Sequence, residues 1–156
     1  MDNSTVETPV HLKKPGILRL LQCKCPRCRL GDMFKNKKAY SPGFMKMHDT
    51  CPVCGQHFEL EVGFYYGSGY MSYAIAVATS VITFIAWWIL IGISYNDNRI
   101  FYWLVLNAIL ILALQPLFMR LARTGWLAVF VKYDPDWKIH PAETPERTNE
   151  DQKNNW

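Results

Sequence analysis

Two long uncharged runs separate a polar N-terminal part of the chain from a polar C-terminal end. The first run covers 23 positions from Met71 to Ile93, and the second covers 20 positions from Ile100 to Met119. About 20 apolar residues form a helix long enough to cross a bilayer. The six polar residues Ser94 to Arg99 leave room only for a short connection. The pattern therefore predicts an antiparallel hairpin of two transmembrane helices, because the remaining residues are too few to bury these helices in a soluble core.

The basic residues predict how this hairpin is oriented. Ten of the 17 Lys and Arg residues lie between Lys13 and Lys46, whereas the connecting turn contains only Arg99. Because cytoplasmic loops of membrane proteins carry an excess of Lys and Arg, we expect both termini to be cytoplasmic and the turn to be external. The first ten residues are polar and predict no cleavable signal sequence.

Two C-x-x-C pairs lie in the polar N-terminal part, C-P-R-C at residues 25–28 and C-P-V-C at residues 51–54. Two such pairs joined by a short excursion of chain are typical of a site in which four thiolates hold one zinc ion. Each pair supplies two ligands from one tight turn, and its proline favours that turn. The four cysteines are therefore predicted to bind one structural zinc ion in a reducing compartment. They are Cys25, Cys28, Cys51 and Cys54.

The complete set of four thiolates argues against catalysis. It would fill the coordination sphere of zinc and leave no position for water or substrate, so we do not expect an enzyme. A thiol-disulfide function is the main chemical alternative, but two pairs without a surrounding βαβ pattern fit a metal site better. Cys23 lies outside the C-x-x-C spacing and is interpreted as a bystander thiol. His48 and His57 flank the second pair and are interpreted as ordinary polar residues.

The residues around the cysteines predict a small β-rich zinc ribbon. Few apolar side chains lie between the two pairs, and a unit of this size usually needs a metal ion to fold. Residues 58–62 alternate apolar and charged side chains, as in a short strand. The apolar segment Ile17 to Leu21 is too short to distinguish a strand from a turn on the membrane surface. We expect loss of one thiolate to unfold this module and to leave the hairpin intact.

Polar side chains inside the predicted helices form one stripe and two isolated amides. The stripe, on one face of the first helix, consists of Ser72, Ala76, Thr79 and Thr83. Small and hydroxyl residues favour close helix packing, and Asn107 and Gln115 of the second helix are expected to face this stripe or a partner. Pro116 is expected to kink the second helix. A transport path lined by the amides is the alternative, but the two runs contain no ionisable residue for an ion relay.

The junctions and the ends of the chain are predicted from composition. Gly63 and Gly67 have the G-x-x-x-G spacing of helix dimers, but their place at the rim of the apolar run favours an aromatic interfacial turn. Arg120 and Arg123 are expected to contact lipid headgroups from a helix that continues along the membrane surface. The predicted segments are 1–12 (disordered), 13–62 (zinc-ribbon module), 63–70 (junction), 71–93 (first helix), 94–99 (turn), 100–119 (second helix), 120–134 (interfacial segment) and 135–156 (disordered tail).

The order of C-P-R-C, a G-D-M-F segment, C-P-V-C-G, an aromatic junction and two apolar helices resembles a family of small bacterial membrane proteins known as domain of unknown function 983. The F-Y-Y-G-S-G-Y junction resembles the branch of this family found in Bacteroidetes. The similarity covers roughly Lys14 to Tyr133 and points to the four cysteines named above as the paired-knuckle cysteines. It implies an α-helical protein of the bacterial inner membrane. Arg29 departs from the glycine that follows many such knuckles.

We expect the protein to act by binding. The most economical hypothesis is a membrane-anchored adaptor or assembly factor that presents its zinc ribbon to a partner in the bilayer, either another membrane protein or a second copy of the chain. Metal handling or thiol redox chemistry is the first alternative, and a small oligomeric transporter is the second. The basic residues Lys24, Arg27 and Arg29 would also suit nucleic acid, but membrane topology and anionic lipid already explain these charges.

Overall fold

A computed structural model describes residues 16–92, 98–142 and 144–145 of the chain. Three of the predictions concern regions that it leaves out. The N-terminal segment 1–12 lies outside the described residues, as do most of the turn at 94–99 and most of the tail beyond residue 142.

The described part of the chain is mainly helical. A single helical turn, α1 (Leu18–Leu21), comes first, and a 3-10 turn (Phe64–Gly67) leads into α2 (Ser68–Ile91). The last and longest element is α3 (Arg99–Phe130). The segment Ile17 to Leu21, which the pattern left undecided, therefore contains a helical turn, and the side chains of Ile17, Leu18 and Leu21 are exposed.

α2 and α3 pack against each other as an antiparallel pair. Gly67 approaches the Trp126 ring near one end of the pair, and Phe84 contacts the Trp103 ring nearer the other. Both helices are long and apolar enough to cross a membrane, and their most apolar stretches are exposed to the surroundings. Such a surface is unfavourable in water and suits a hydrocarbon environment. The described helices thus agree with the predicted transmembrane hairpin.

α3 is longer than the sequence predicts. It continues past Met119 through Arg120 and Arg123 and ends only at Phe130, with Pro116 inside the helix. Its 32 residues span about 48 Å, whereas the hydrocarbon core of a bilayer is about 30 Å thick. The charged residues end the uncharged run without ending the helix. The last turns of α3 therefore extend beyond the membrane-spanning length and form a platform.

The cysteine module lies on this platform. Within residues 16–92, the module contains no strand, and three isolated antiparallel bridges join Lys24 to Asp32, Phe34 to Met47 and Thr50 to His57. The predicted β-rich character is therefore not confirmed, although a four-cysteine module is present. The chain between the bridges is taken up by tight turns, which leave too few consecutive extended residues for a ladder of hydrogen bonds.

The core of the module is shared with the end of the hairpin. Met33, Phe34 and Phe58 are buried together with the cysteines, and the same cluster includes Leu127 of α3 and Val131 just after it. The remaining buried members are Cys23, Cys25, Cys28, Met47, Cys51 and Tyr65. The module is thus completed by residues about 70 positions further along the chain. It does not form a separate unit in the way that its sequence suggests.

Candidate metal centre

Each cysteine pair lies in a turn closed by the same two backbone hydrogen bonds. In the first turn, the Arg29 amide donates to the Cys25 carbonyl at 2.7 Å, and the Cys25 amide donates to the Gly31 carbonyl at 2.8 Å. In the second turn, Gly55 donates to Cys51 at 3.0 Å, and Cys51 donates to the Gln56 carbonyl at 2.8 Å. The two turns are therefore near repeats of one another, and the first contains one extra residue.

Arg29 and Gly55 occupy equivalent positions in these turns. Their φ angles are 57° and 70°, in the left-handed region that glycine adopts readily and arginine does not. Arg29 thus has the same backbone conformation as Gly55, although it is not a glycine. Its guanidinium lies 4.3 Å from the centroid of the Tyr133 ring. This cation–π contact offsets part of the backbone strain, which is about 1–2 kcal/mol for such a residue.

The two turns bring the four thiols together. All four sulfur atoms lie within 4.8 Å of one another, and the Cys25–Cys54 and Cys28–Cys51 sulfur pairs are both 3.7 Å apart. Four sulfurs each about 2.3 Å from a zinc ion at the centre of a tetrahedron would be about 3.8 Å apart. The sulfurs are much too far apart for a disulfide, in which the bond is about 2.05 Å long. The arrangement therefore fits one tetrahedrally coordinated metal ion.

Gly31 makes this approach of the two turns possible. A β-carbon at position 31 would lie 2.3 Å from the Cys51 sulfur, far inside van der Waals contact. Any side chain there would push the second turn away from the first. The G-D-M-F segment thus has a role that sequence reasoning did not assign, and the only sequence signal for it is a glycine three residues after the first pair.

The burial of the thiols differs. Cys25, Cys28 and Cys51 are buried, whereas Cys54 is partly exposed. Hydrogen bonding with Cys25 lowers the pKa of the Cys28 thiol well below its usual range and lowers the pKa of Cys51 to about 7. Hydrogen bonding with Cys28 correspondingly raises the pKa of Cys25. All four thiols must be deprotonated to hold a metal ion, so metal binding would release the protons that Cys25 and Cys54, whose pKa values are raised, keep near neutral pH.

Cys23, His48 and His57 stay outside the cluster of ligand atoms. Burial raises the pKa of the Cys23 thiol, while a hydrogen bond with Thr124 and the charge of Arg120 oppose the shift. Cys23 therefore packs as a neutral thiol against α3. His57 takes part in a backbone bridge with Thr50, and the His48 amide donates to the Met33 carbonyl.

Arg120 and Arg123 hold the module on α3. They are only 5% and 8% exposed, and Arg120 donates to the carbonyl oxygens of Lys37 and Asn36. Arg123 donates to the Met45 carbonyl at 3.4 Å, and its guanidinium lies 5.2 Å from the centroid of the Tyr65 ring. Both arginines therefore contact the module and not the lipid headgroups that the sequence predicts, because the module covers this face of the helix.

The chain after α3 folds back onto the first cysteine turn. Arg27 donates through Nη2 to the carbonyl oxygens of His140 at 2.7 Å and Pro141 at 3.0 Å, and it lies 3.4 Å from an Asp134 carboxylate oxygen. The Asp134 amide donates in return to the Arg27 carbonyl at 3.1 Å. Residues 131–141 are therefore attached to the module, although the sequence from residue 135 onward suggests a disordered tail.

Residues 41–140, which are 100 of the 156 positions, match the family described as Protein of unknown function (DUF983). The chain belongs to this family. The match confirms the resemblance seen in the motifs, although it begins later and ends later than Lys14 to Tyr133. No curated protein and no solved structure matches the chain.

The DUF983 match includes the second cysteine pair, both apolar helices and the segment that folds back on the module. The first cysteine pair precedes it. Arg120 and Asp134 lie inside the matched region, whereas Asn36 and Lys37, which accept from Arg120, and Arg27, which contacts Asp134, lie before it. The fold thus joins the DUF983 region to the preceding turn through both the thiol cluster and these arginines.

Inside the hairpin of this DUF983 protein, the Asn107 side chain links the two helices by hydrogen bonds. Thr83 donates to the Asn107 side-chain oxygen at 3.0 Å, and Asn107 donates to the Ser80 hydroxyl at 3.2 Å. Ser80 was not part of the predicted stripe. Thr79 donates to the Ile75 carbonyl of its own helix, while Ser72 and Gln115 line a cavity of about 460 Å³ near the module. Of the two amides, Asn107 reaches the stripe and Gln115 remains exposed.

Proposed function

We propose that this protein is a membrane-anchored adaptor or assembly factor whose four cysteines hold one structural zinc ion. The observation that carries the proposal is the spacing of the thiols, since two sulfur pairs at 3.7 Å match the edges of a zinc–thiolate tetrahedron. Four soft sulfur donors in this geometry favour zinc among the common metal ions. Bound zinc would stabilise two ribbon-type knuckles that contain little secondary structure of their own.

The attachment of the module supports a role in presenting a surface. Arg120 and Arg123 bind backbone carbonyls of the module, and Arg27 binds the chain that follows α3. A module held at both sides keeps a constant orientation relative to the helices. Such rigidity suits docking to a partner in the same membrane more than transfer of cargo by a mobile domain. A filled thiolate set leaves no position for substrate, so the proposed role is binding and not catalysis.

The proposed location is the inner membrane of a bacterium, with both termini and the module in the cytoplasm. The two helices supply the membrane-spanning length, and the basic residues around the module favour its cytoplasmic side. A reducing cytoplasm also keeps the cysteines available for metal. The partner would be another membrane protein or a second copy of the chain.

Metal analysis of the full chain in detergent tests this proposal. We expect about one zinc ion per chain, retained during dialysis against a weak chelator and lost in Cys51→Ser. Cys23→Ser is the matched control, because Cys23 is also buried but lies outside the thiol cluster. A photo-reactive residue at the exposed Val53 should then crosslink to a membrane protein in intact cells. Absence of metal, or a disulfide in its place, would refute the structural zinc site.

Metal handling is the second candidate function, and the partial exposure of Cys54 favours it. An exposed ligand gives a competing thiol or chelator a place to begin exchange. Isotope exchange with labelled zinc separates the two functions. Exchange over many hours would support the structural site. Exchange within minutes would support delivery of zinc if a substitution that covers Cys54 slows it.

A further inference from the structure

Four large side chains of the cysteine module are exposed although they are apolar or aromatic. Ile17, Leu18 and Leu21 lie in and beside the single turn α1 and are 63–69% exposed. Tyr40, between the two cysteine pairs, is 68% exposed, and its neighbour Ala39 lines the same cavity as Leu21. These side chains therefore form one region of the module surface, which we call the α1 face. An exposed apolar region of this kind usually marks a contact with another molecule or with a membrane.

The α1 face lies beside the part of α3 that would be inside the bilayer. The Tyr40 hydroxyl donates to the Ala113 carbonyl at 2.7 Å, and Leu21 lines a cavity together with Leu117. Both contacts precede Arg120, where the uncharged run of 20 residues ends. At 1.5 Å per residue, Ala113 lies about 10 Å and Leu117 about 5 Å before Arg120 along the helix axis. Because the uncharged run spans about 30 Å, the thickness of the hydrocarbon core, the α1 face would reach below the level of the headgroups.

The hydrogen bond of Tyr40 fits this depth. A hydroxyl group in hydrocarbon needs a partner within the protein, because no water is available there. The side chain of Tyr40 is largely exposed to the surroundings, while its hydroxyl is bonded to a carbonyl of α3. An exposed ring with a satisfied polar tip is typical of the aromatic residues found at the interface between membrane and water.

Basic side chains accompany the α1 face. Residues 16–46 contain eight Lys and Arg residues and one acidic residue, Asp32, which is already paired with a lysine. Arg19 lies within α1, Lys37 and Lys38 lie just before Tyr40 in the chain, and all three basic side chains are exposed. Cations next to an apolar region favour a surface that presents anionic groups above hydrocarbon.

We propose that the α1 face inserts into the cytoplasmic leaflet and binds anionic phospholipid. Its apolar side chains would lie among the acyl chains next to α3, and Arg19, Lys37 and Lys38 would contact the phosphate groups. The headgroup contact that the sequence predicts for Arg120 and Arg123 is thus made by the module that these two arginines hold. The inference rests on the proposed membrane location and adds a lipid-binding surface to the proposed adaptor. Lipid is favoured over a protein partner because the α1 face is continuous with the exposed apolar surface of α3.

Photo-crosslinking in nanodiscs tests the proposal. Zinc-loaded full chain is placed in a bilayer of equal parts phosphatidylglycerol and phosphatidylcholine, with a diazirine amino acid at Leu18 or, in a separate preparation, at Ile139. Both replaced side chains are aliphatic and exposed, but Ile139 follows the far end of α3. Mass spectrometry should detect at least tenfold more phospholipid adduct at position 18. Equal yields at the two positions, or a crosslink from position 18 to a protein in place of lipid in intact cells, would overturn the proposal.

Charge substitutions test the headgroup contact. At position 18, phosphatidylglycerol adducts should exceed phosphatidylcholine adducts. The triple variant Arg19→Gln, Lys37→Gln, Lys38→Gln should lower this ratio at least fivefold, which is roughly the effect of one basic residue near an anionic membrane. Its zinc content and Tm should not change, because the three side chains are exposed. Lys138→Gln, which removes an exposed charge after α3, is the control and should leave the ratio unchanged. An unchanged ratio in the triple variant would contradict the headgroup contact.

A third position separates failure of this inference from failure of the proposed membrane location. Leu106 is exposed within the uncharged run of α3 and should form phospholipid adducts whenever the hairpin is in the bilayer. Adducts at position 106 without adducts at position 18 would leave the transmembrane hairpin in place and overturn insertion of the α1 face. Absence of adducts at both positions would refute the membrane location and the inference together.

Discussion

The guanidinium of Arg120, on the longest helix, lies 4.3 Å from the centroid of the Phe34 ring inside the cysteine module. The same guanidinium donates to the carbonyl oxygens of Lys37 and Asn36, so one side chain contacts three residues of the module. Arg123 repeats the arrangement one turn further along α3. This face of α3 therefore joins a helix long and apolar enough to cross a membrane to the module that contains the four clustered thiols.

Arg120→Gln is expected to loosen the module from α3. Hydrogen bonds from a charged group contribute about 1.5–3 kcal/mol, so the detached population should rise by roughly 10- to 150-fold. Lysine at this position should restore only part of the effect, because it lacks the planar fork that reaches two carbonyls. Limited proteolysis within residues 35–46 measures the change. Arg99→Gln, at the other end of α3, is the control and should leave the cleavage rate unchanged.

Gly31→Ala is expected to weaken metal binding. The added β-carbon would lie 2.3 Å from the Cys51 sulfur, and relief of this clash separates the two cysteine turns. We expect the apparent zinc affinity to fall at least tenfold in competition with a chromophoric chelator. Gly16→Ala is the matched control, since no atom lies within 4 Å of its new β-carbon. Equal affinity in the two variants would show that the turns do not need this close approach.

Gly67→Ala is expected to destabilise the junction between the module and the hairpin. Its β-carbon would lie 2.1 Å from the Trp126 ring, whose Nε1 donates to the Phe64 carbonyl at 2.8 Å. Overpacking of this kind costs about 1–3 kcal/mol. Gly69→Ala meets no atom within 4 Å and should be neutral or stabilising in the helix. Thermal unfolding in detergent should therefore show a lower Tm for Gly67→Ala and no decrease for Gly69→Ala.

Asn107→Leu is expected to weaken the hairpin slightly without breaking it. Interhelical hydrogen bonds in membranes contribute about 0.6 kcal/mol on average, and Asn107 has two partners on α2. A double-mutant cycle with Thr83→Val should show a coupling of that size. Gln115→Leu should leave the helix pair unaffected, because Gln115 makes no hydrogen bond to α2 within the described residues. A larger effect of Gln115 on activity than on stability would favour the transporter alternative.

The Asp134 carboxylate predicts how the segment after α3 responds to acid. Burial raises its pKa, but hydrogen bonds from the Asp136 amide, His140 and Arg27 outweigh burial, and the pKa lies below the usual value. A carboxyl with a lowered folded-state pKa stabilises the fold above its unfolded pKa of about 3.9, and that contribution is lost as the pH falls through the lower folded value. The contribution of the Asp134 carboxylate to this attachment should therefore be complete at pH 5 and be lost only as the pH falls below about 4.

The Asp136 amide reports this transition directly, because it donates to the Asp134 carboxylate at 2.9 Å. Its proton and nitrogen NMR shifts, followed in detergent from pH 6 to pH 3, should change together with those of Ile139. Asp134→Asn should remove the transition while leaving any acid-induced release of metal in place. Identical titrations of the two proteins would assign the change to the metal site and contradict the prediction.

The sequence predicts what depends on local spacing. The two uncharged runs and the two C-x-x-C pairs can each be recognised from neighbouring residues alone, and both features are present in the fold. No such signal shows which group the Arg120 side chain contacts. An arginine after an apolar run has the same sequence pattern whether it binds a lipid phosphate or a buried carbonyl oxygen. The contact between Arg27 and Asp134 joins residues 107 positions apart. Composition alone cannot show such a pairing, so residues 135–142 read as disordered.

The absence of strands in the described module has a similar cause. Alternation at residues 58–62 predicts a strand, but Phe58 is buried and its carbonyl accepts a hydrogen bond from the Tyr65 hydroxyl at 2.6 Å. That side-chain contact replaces the neighbouring strand that alternation implies. Aromatic residues of the junction thus determine the backbone conformation of residues 58–62. The alternation of apolar and charged positions carries no information about such contacts.

Leu127 and Val131 complete the core around the cysteines, and this determines when that core can form during synthesis. The first cysteine turn leaves the ribosome about 100 residues before Leu127, which corresponds to roughly 5–20 s of translation. Until the last helix has entered the membrane, the nascent chain holds its thiols without the residues that cover them. We therefore expect stable metal loading to follow insertion of the hairpin, so that a chain that fails to insert also fails to acquire its metal.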